Sequence, residues 1–309
     1  MKTNATQTNQ DTTNVEDAFK QRNRIYEHGC KFLAEIEALM DSKPELQTLL
    51  DFHRQIYNLE NPKRTTPHKC RYAHRETTSV RMVNRYGIAM CLPPKCGTTN
   101  WQKALIALQE GTTIDNISAK GPDVYKTLQR YEPGTKHGST ETVAQQQGLK
   151  KINDIKYKVA NTRNPFTRLY SAWNGKSQTG KTILPKFYPG LKLFEHEPPP
   201  HGHTISWESF VKYVSANDGD AKMDWHWRLQ HHQCQACRIK YDFITHLDQS
   251  QTEAPFLLHK MKVGNLTAVP GKYSWWPVEN DELHWQTIPR NLAVKVYQHY
   301  FVDFGECDQ

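Results

Sequence analysis

The sequence predicts an α/β protein in which a central parallel β-sheet is flanked by helices and preceded by a helical stem. Two observations carry this prediction. An apolar segment, a polar loop and a helical pattern follow one another twice, over residues 86–108 and again over 156–173. In both places a basic residue lies at the end of the apolar segment. The length of 309 residues suits one domain of this kind with an appendage.

The N-terminal part of the chain predicts a tail and a stem. Residues 1–14 are rich in Asn, Thr and Gln, so we expect a disordered tail. Apolar residues recur at helical spacing over 15–40, and a capping box opens a second predicted helix over 42–59. The predicted organisation is therefore a tail over 1–14, a helical stem and basic linker over 15–79, and the main domain over 80–309.

The core elements follow from local patterns of the same kind. Asn164 and Pro165 supply a helix cap and a first-turn proline immediately after the second apolar segment. The predicted elements, in order, are a strand over 86–92, a helix over 100–108, a strand over 156–162, a helix over 165–173, a Gly-, Pro- and Lys-rich surface loop over 176–203, a helix from 206 and a final helix over 289–300.

The charge favours an acidic partner. Lys and Arg number 40 against 32 Asp and Glu, which gives a formal net charge of +8. The excess is concentrated over residues 63–85, where seven basic residues accompany one acid, Glu76. This basic strip is either a surface that faces an anion or a solvated arm.

Membrane and secretion signals are sparse. No run approaches the roughly 18 apolar residues that cross a bilayer, and the polar N-terminus has no signal-peptide core, so we expect no anchor in this sequence. The seven cysteines permit several disulfides in an oxidising compartment. Glycosylation triplets at Asn4, Asn116 and Asn265 permit a secretory route without requiring it.

The loop LPPKCGTTNW, residues 92–101, has the composition of an anion site. A helix N-terminus after a buried strand offers unpaired N–H groups and the positive end of the helix dipole. Gly97 lets the backbone approach a ligand, and Lys95 adds a mobile charge. A nucleoside-triphosphate loop places its lysine after the second glycine, whereas here the lysine comes first. Lys95 can thus reach the bridging oxygen of a leaving phosphate; the alternative is an ordinary turn with a surface lysine.

The second loop, RNPFTRLYSAW at residues 163–173, repeats the arrangement. Arg163 ends the strand, and Ser171 follows two turns into the helix. Arg168 lies three residues before Ser171, on the same helix face. An arginine fork with a hydroxyl suits a terminal phosphate. Two such strand ends in one sheet predict a ligand with two separated phosphates.

At these residues the sequence resembles the PAPS-dependent sulfotransferases, specifically the Golgi carbohydrate sulfotransferases that include the chondroitin, dermatan and HNK-1 enzymes. Their loops usually contain P-K-V-[AG]-C-T-N-W and R-[DE]-P-F-E-R-L-x-S-A, against PKCGTTNW at 94–101 and RNPFTRLYSA at 163–172. A third block, HWRLQHHQCQACRIKYDFI at 226–244, is similar to the family's H-W-x-x-x-x-x-L-C-x-P-C-x-[IV]-x-Y-D-[FV]-I. In two departures, Asn164 replaces an acid but remains a good cap, and Thr98 replaces a cysteine.

The resemblance implies a P-loop-like sulfotransferase fold, PAPS as the co-substrate, no metal, and a set of site residues. The expected catalytic residues are Lys95, His137 and His226. The expected nucleotide-binding residues are Pro94, Lys95, Cys96, Gly97, Thr98, Thr99, Asn100, Arg163, Asn164, Pro165, Phe166, Arg168 and Ser171.

The general base has several candidates. His137 lies between the two loops and His226 opens the third block, while Glu141 remains an alternative. Cys234 and Cys237 beside histidines have the spacing of a zinc site, but the second ligand pair is missing. The resemblance implies instead that both cysteines form disulfides with distant partners.

These observations predict an enzyme that moves a sulfuryl group from PAPS to a carbohydrate hydroxyl. The alternatives are a noncatalytic glycan- or anion-binding module and a nucleotide-dependent phosphotransferase. We expect an acidic glycan as partner, no nucleic acid, and a membrane contact only through an anchor outside this sequence. The resemblance implies the Golgi lumen.

Overall fold

The structure is a computed structural model that describes residues 3–42, 79–119, 128–130, 149–177, 203–216, 223–269 and 281–303. Its centre is a five-stranded sheet with the strand order β3-β1-β2-β4-β5. The strands are β1 (Val80–Val83), β2 (Ile88–Cys91), β3 (Gln129–Arg130), β4 (Tyr157–Thr162) and β5 (Phe243–His246). The predicted α/β fold is confirmed.

The sheet is mixed, whereas the sequence predicted a parallel one. β2 pairs with β4, and β4 with β5, in parallel, but β1 runs antiparallel to both β2 and β3. A 3₁₀ turn over Asn84–Tyr86 and Gly87, at φ 61°, reverse the chain between β1 and β2. Glycine adopts this left-handed conformation without steric cost, and this turn makes the hairpin.

The helices flank the sheet. In chain order they are α1 (Thr3–Ser42), α2 (Thr98–Glu110), α3 (Ile114–Ala119), α4 (Pro165–Lys176), α5 (Trp207–Ala216), α6 (Gln230–Cys234), α7 (Ser250–Lys260), α8 (Asp281–Gln286) and α9 (Arg290–His299). Both strand–loop–helix units of the sequence prediction are present, as β2 with α2 and β4 with α4.

The two faces of the sheet bury different clusters, because side chains alternate along a strand. On one face Ile88 and Met90 pack with α2 and α7. On the other face Ala89 and Cys91 pack with the segment that contains α6. A third cluster joins α4, α5 and α9 beyond the sheet. The ends of β2 and β4 are therefore anchored from several sides.

Helix α1 begins at Thr3, which differs from the predicted disordered tail over 1–14. Extending an existing helix costs far less than nucleating one, so a packed amphipathic segment can carry a polar extension. The packing is substantial. Phe19 stacks on Phe256 with ring centroids 5.6 Å apart and meets the edge of Phe243 at 5.4 Å. The part of the predicted stem that the structure describes thus packs onto the main domain.

A buried ion pair fastens α1 to the core. The Arg22 guanidinium contacts the Glu253 carboxylate and also donates to the Ile244 carbonyl at 2.7 Å. Glu253 accepts the backbone N–H of His246 at 2.9 Å with its other oxygen. Arg22 and Glu253 are both almost fully buried, so each charge has lost most of its contact with water and is stabilised by the other.

Two disulfides tie distant segments together. Cys30 of α1 bonds to Cys237, and Cys91 at the end of β2 bonds to Cys234 at the end of α6. The implied pairing of both C-x-x-C cysteines with distant partners is confirmed.

Several sequence predictions lie outside the described residues: the helix over 42–59, most of the loop over 176–203, His137, Glu141, and the basic strip before residue 79. Arg81, one of the seven basic residues of the strip, is buried in β1 and is therefore not part of an exposed basic surface. In the described parts of the chain, no helix is long and apolar enough to cross a membrane.

We predict that Arg22→Ala lowers the free energy of unfolding by about 3–5 kcal/mol, because it leaves the Glu253 carboxylate buried without its counter-charge. Urea denaturation measures the change. The control is Lys20→Ala on the same helix, whose exposed pair with Asp17 should contribute less than about 1 kcal/mol. Equal urea midpoints for the two variants would show that the Arg22 contact does not hold α1 in place.

Candidate active site

The site lies at the carboxyl ends of the parallel strands β2 and β4. The loop over 92–97 connects β2 to α2, and Arg163 and Asn164 connect β4 to α4. Since β2 and β4 are neighbours in register, from Ile88 opposite Tyr157 to Cys91 opposite Ala160, the two loops emerge side by side. Ligands of open α/β sheets bind at this edge.

The backbone of the first loop is shaped for close approach. Gly97 is the residue before α2 and has φ 72°. A Cβ there would stand 2.6 Å from Leu247 Cδ1, so no other residue fits without displacing that side chain. Lys95 also has φ 72°, a conformation that a residue with a Cβ adopts only at an energetic cost. Such strain is concentrated at functional sites.

The side chains of the first loop have separate tasks. The Thr98 hydroxyl donates to the Pro93 carbonyl and closes the loop. Thr99 is exposed at the start of α2. The N–H groups of Thr98 and Thr99, like those of any first helical turn, have no intrahelical acceptor and point out of the helix end. Cys96 is fully buried, its N–H donates to the Pro93 carbonyl at 3.3 Å and its carbonyl accepts from the Asn161 side chain, so it faces the interior and not a ligand.

The second loop begins α4 with the predicted cap. Asn164 Oδ1 accepts the N–H groups of Phe166 at 2.9 Å and Thr167 at 3.4 Å, and Pro165 is the first helical residue. Phe166 packs edge to face on Trp285 at 4.6 Å, which fixes the outer side of the turn. The cap therefore survives the replacement of the family's acid by Asn164.

Arg163 joins the two loops. Its Nη1 donates to the Lys95 carbonyl at 3.0 Å, and its Nε donates to the Thr167 hydroxyl at 3.1 Å. The guanidinium thus lies between the first loop and the start of α4. The structure brings together the two cationic residues that the sequence placed at separate strand ends.

Arg168 lies beneath the loops and not at a ligand surface. It is 1 % exposed, and its guanidinium donates to the Pro94 carbonyl at 3.0 Å and the Arg228 carbonyl at 2.8 Å. Ser171, one turn later, is half-buried, and within the described parts of the chain its hydroxyl has no hydrogen-bond partner. The sequence predicted that Arg168 and Ser171 would act together from one helix face. In the structure Arg168 is buried and supports the first loop, and only Ser171 can offer its side chain to a ligand.

Lys95 reaches the C-terminal turn of α4. A Cβ at Gly175 would clash with Lys95 Nζ, so the ammonium group lies directly over that glycine. Lys176 is the next residue. Burial lowers the pKa of His226, and the charges of Lys176 and Lys95 lower it further. Lys95 and Lys176 therefore form one positively charged group beside His226.

His226 is oriented by an aspartate that the sequence analysis missed. Its Nδ1 lies 2.6 Å from Asp224 Oδ1, which also accepts the His226 backbone N–H at 2.8 Å. An ionised carboxylate only accepts hydrogen bonds, so Nδ1 carries the proton and the Nε2 lone pair is left for another group. Burial lowers the pKa of His226 and Asp224 raises it, and with the two lysine charges the net shift is downward. The Asp-x-His spacing was visible in the sequence and was the available signal.

Beneath the loops lies a buried group in which Cys96 meets two residues that the sequence did not indicate. Gln230, Asp303 and the Cys96 thiol are fully or almost fully buried there. Burial raises the pKa of Cys96 to about 11, so the thiol stays protonated at neutral pH. In the described parts of the chain, no three His, Cys, Asp or Glu side chains are grouped to hold a metal ion.

Comparison with known proteins agrees with this geometry. The profile described as "Sulfotransferase family" matches residues 78–305. The chain belongs to the sulfotransferase family. Both loops, the His226 pair and Asp303 lie within the matched region, whereas α1 precedes it.

Curated relatives of this sulfotransferase-family chain have related names. Carbohydrate sulfotransferase 12 of Mus musculus is 28% identical over 253 residues, which are 74% of this chain and 60% of that protein. Carbohydrate sulfotransferase 14 of Mus musculus is 23% identical over 247 residues, 73% of this chain and 58% of the relative. Carbohydrate sulfotransferase 10 of Rattus norvegicus is 26% identical over 208 residues, which are 62% of this chain and 54% of that protein. The chain thus spans less than two thirds of each. No solved structure matches it significantly.

Proposed function

We propose that this chain is an enzyme that transfers a sulfuryl group from PAPS to a hydroxyl group of a carbohydrate and releases PAP. The observation that carries the proposal is the hydrogen bond of 3.0 Å between Arg163 Nη1 and the Lys95 carbonyl, which joins two cationic strand-end loops. Two anion sites at a fixed separation suit a nucleotide with separate 3′ and 5′ phosphates. The names of the relatives support a carbohydrate acceptor.

The first loop would hold the 5′ end of the nucleotide. The N–H groups of Gly97, Thr98 and Thr99 at the start of α2 would bind the 5′-phosphate together with the positive end of the helix dipole. The Asn100 N–H already donates to the Gly97 carbonyl at 3.1 Å. Lys95 would stabilise the charge that develops on this phosphate as the sulfuryl group leaves. Lys95 is half-buried, and its ammonium group lies over Gly175 in the last turn of α4.

The second loop would hold the 3′-phosphate. Arg163 supplies a planar guanidinium, and Ser171 supplies a hydroxyl that the described structure leaves without a partner. Arg168 acts from below, because its hydrogen bond to the Pro94 carbonyl braces the first loop. Asn164, Pro165 and Phe166 shape the start of α4 instead of contributing charge.

PAPS, when bound, supplies an activated sulfuryl group on its 5′-phosphate. His226 Nε2 would accept the proton of the acceptor hydroxyl as its oxygen bonds to sulfur. The sulfur–oxygen bond to the 5′-phosphate breaks, and the electron pair stays on PAP, where Lys95 offsets it. Asp224 holds the His226 ring for this step. The lowered pKa keeps the imidazole neutral, and therefore basic, at neutral pH.

The finer parts of the proposal concern the acceptor and the compartment. We propose an acidic glycan because the net charge of the chain is +8. We propose the Golgi lumen because two disulfides join distant segments, which favours folding in an oxidising compartment. Because Arg81 is buried, it cannot contact a glycan, and six of the seven basic residues of the strip remain for that role.

A transfer assay tests the central proposal. The purified protein is incubated with ³⁵S-labelled PAPS and a panel of desulfated chondroitin, dermatan and neutral oligosaccharides, with EDTA present. We expect label on at least one glycan. Lys95→Ala should lower kcat by about 100- to 1,000-fold, the usual loss when a group that stabilises a leaving charge is removed. Lys150→Ala, at an exposed lysine, is the matched control.

Three results would overturn the proposal. Transfer of phosphate from ATP with Mg²⁺, without sulfuryl transfer, would indicate a phosphotransferase. Glycan binding without any transfer would indicate a noncatalytic module. Efficient sulfation of a simple phenol with no glycan labelled would remove the carbohydrate acceptor.

The His226 pair predicts a distinct pH dependence. The base must be deprotonated, so the wild-type kcat should be constant at neutral pH and fall only below the ordinary histidine pKa of about 6.5. Asp224 raises the pKa of His226, so Asp224→Asn should move this acid limb to lower pH while it reduces kcat. His226→Ala should reduce kcat by about 100-fold, the usual loss for a general base, with the Kd for PAP unchanged.

His259→Ala, at an exposed histidine at the end of α7, is the control and should leave the pH profile unchanged. A His226→Ala variant that retains both the wild-type rate and the acid limb would place the base elsewhere, with His137 the next residue to substitute.

A further inference from the structure

Gln230 contacts both phosphate-binding loops although it belongs to neither. It is the first residue of α6 and has no exposed surface. Its side-chain Oε1 accepts the Arg163 backbone N–H at 3.0 Å, and its Nε2 donates to the Arg163 carbonyl at 2.8 Å. One amide thus satisfies both backbone polar groups of the residue directly after β4.

The same amide reaches the first loop. The Cys96 thiol donates to Gln230 Oε1 at 3.0 Å. Its protonated state, maintained by burial, preserves this donor at neutral pH. Gln230 therefore connects the backbone of Arg163 to the residue directly after Lys95. Above the amide, the Arg163 side chain returns to the Lys95 carbonyl and closes a ring of contacts.

Helix α6 is held at both ends, so this amide has a fixed position. At the N-terminal end, the buried Asp303 carboxylate accepts the N–H groups of Gln230 and His231, each at 2.9 Å. At the C-terminal end, the Cys234 disulfide attaches the helix to Cys91, the last residue of β2. The two loops are thus held in place by their contacts with α6 as well as by their contact with each other.

We propose that Gln230 is a positioning residue that sets the separation between the two phosphate-binding loops. This inference rests on the proposed function, because it assumes that one nucleotide places a phosphate in each loop. A ligand with both phosphates depends on the separation of the two sites. A ligand with one phosphate binds to one loop, so its affinity does not depend on that separation. The bisphosphate therefore reports on the positions of the two loops, and the monophosphates report on whether each loop is intact.

The test compares ligands across variants of similar side-chain volume. Gln230→Met removes the three hydrogen bonds and largely preserves packing. The matched control is Gln233→Met on the same helix, since Gln233 is also buried but bonds to Ser79, Trp225 and Arg228. Calorimetry measures the Kd of adenosine 3′,5′-bisphosphate, adenosine 5′-monophosphate and adenosine 3′-monophosphate, with circular dichroism to confirm folding.

We expect Gln230→Met to weaken the bisphosphate about tenfold or more and each monophosphate less than about threefold, since a lost buried hydrogen bond typically changes an equilibrium by this order. Gln233→Met should leave the ratio of bisphosphate to monophosphate affinity at the wild-type value. If Gln230→Met does not fold, Cys96→Ala and Cys96→Ser provide a second comparison. Serine retains a donor to Gln230 and should keep the wild-type ratio, whereas alanine should lower it.

Two outcomes would overturn the inference: equal losses for all three nucleotides in Gln230→Met, or the same change of ratio in Gln233→Met. For the cysteine variants, an unchanged ratio in Cys96→Ala would do so. A wild-type protein that binds the bisphosphate no more tightly than the monophosphates would instead overturn the proposed function, so the two failures are distinguishable.

Discussion

The parallel pairing of β2 with β4 is the constraint on which the site depends. It aligns Cys91 with Ala160, so the chain leaves both strands at one edge of the sheet and the loops that follow are adjacent. Each loop leads into the N-terminal end of a helix, where unpaired N–H groups and the helix dipole favour an anion. The bond from Arg163 to the Lys95 carbonyl then joins the two loops.

The rest of the chain holds this edge in place. The aromatic cluster of α4, α5 and α9 packs behind the second loop, and Arg168 braces the first loop from below. Gln230 and Asp303 lie between them, where hydrogen bonds replace the solvation that the buried polar groups have lost. Helix α1 is attached to this domain through the Arg22 to Glu253 pair and a disulfide. The strained backbone of Lys95 is thus supported by packing and buried polar contacts together.

Local features of the fold and site followed from the sequence, and distant contacts did not. The cap at Asn164 and the left-handed Gly97 depend on neighbouring residues, so a short motif contains the necessary information. The hairpin of β1 with β2 was missed because β1 has only four residues, one of them Arg81, and so has no apolar run that marks it as a strand. The burial of Arg168, and the contacts of Gln230 with Arg163 and Asp303, join segments far apart in the chain. No local pattern encodes those contacts, so only the folded structure reveals them.

A crystal structure of the protein with adenosine 3′,5′-bisphosphate would test the central claim most directly, because it locates both phosphates at once. The account predicts the 5′-phosphate about 3 Å from the N–H groups of Thr98 and Thr99, and the 3′-phosphate at the same distance from the Arg163 guanidinium. A nucleotide bound away from either loop, or with both phosphates in a single loop, would contradict it.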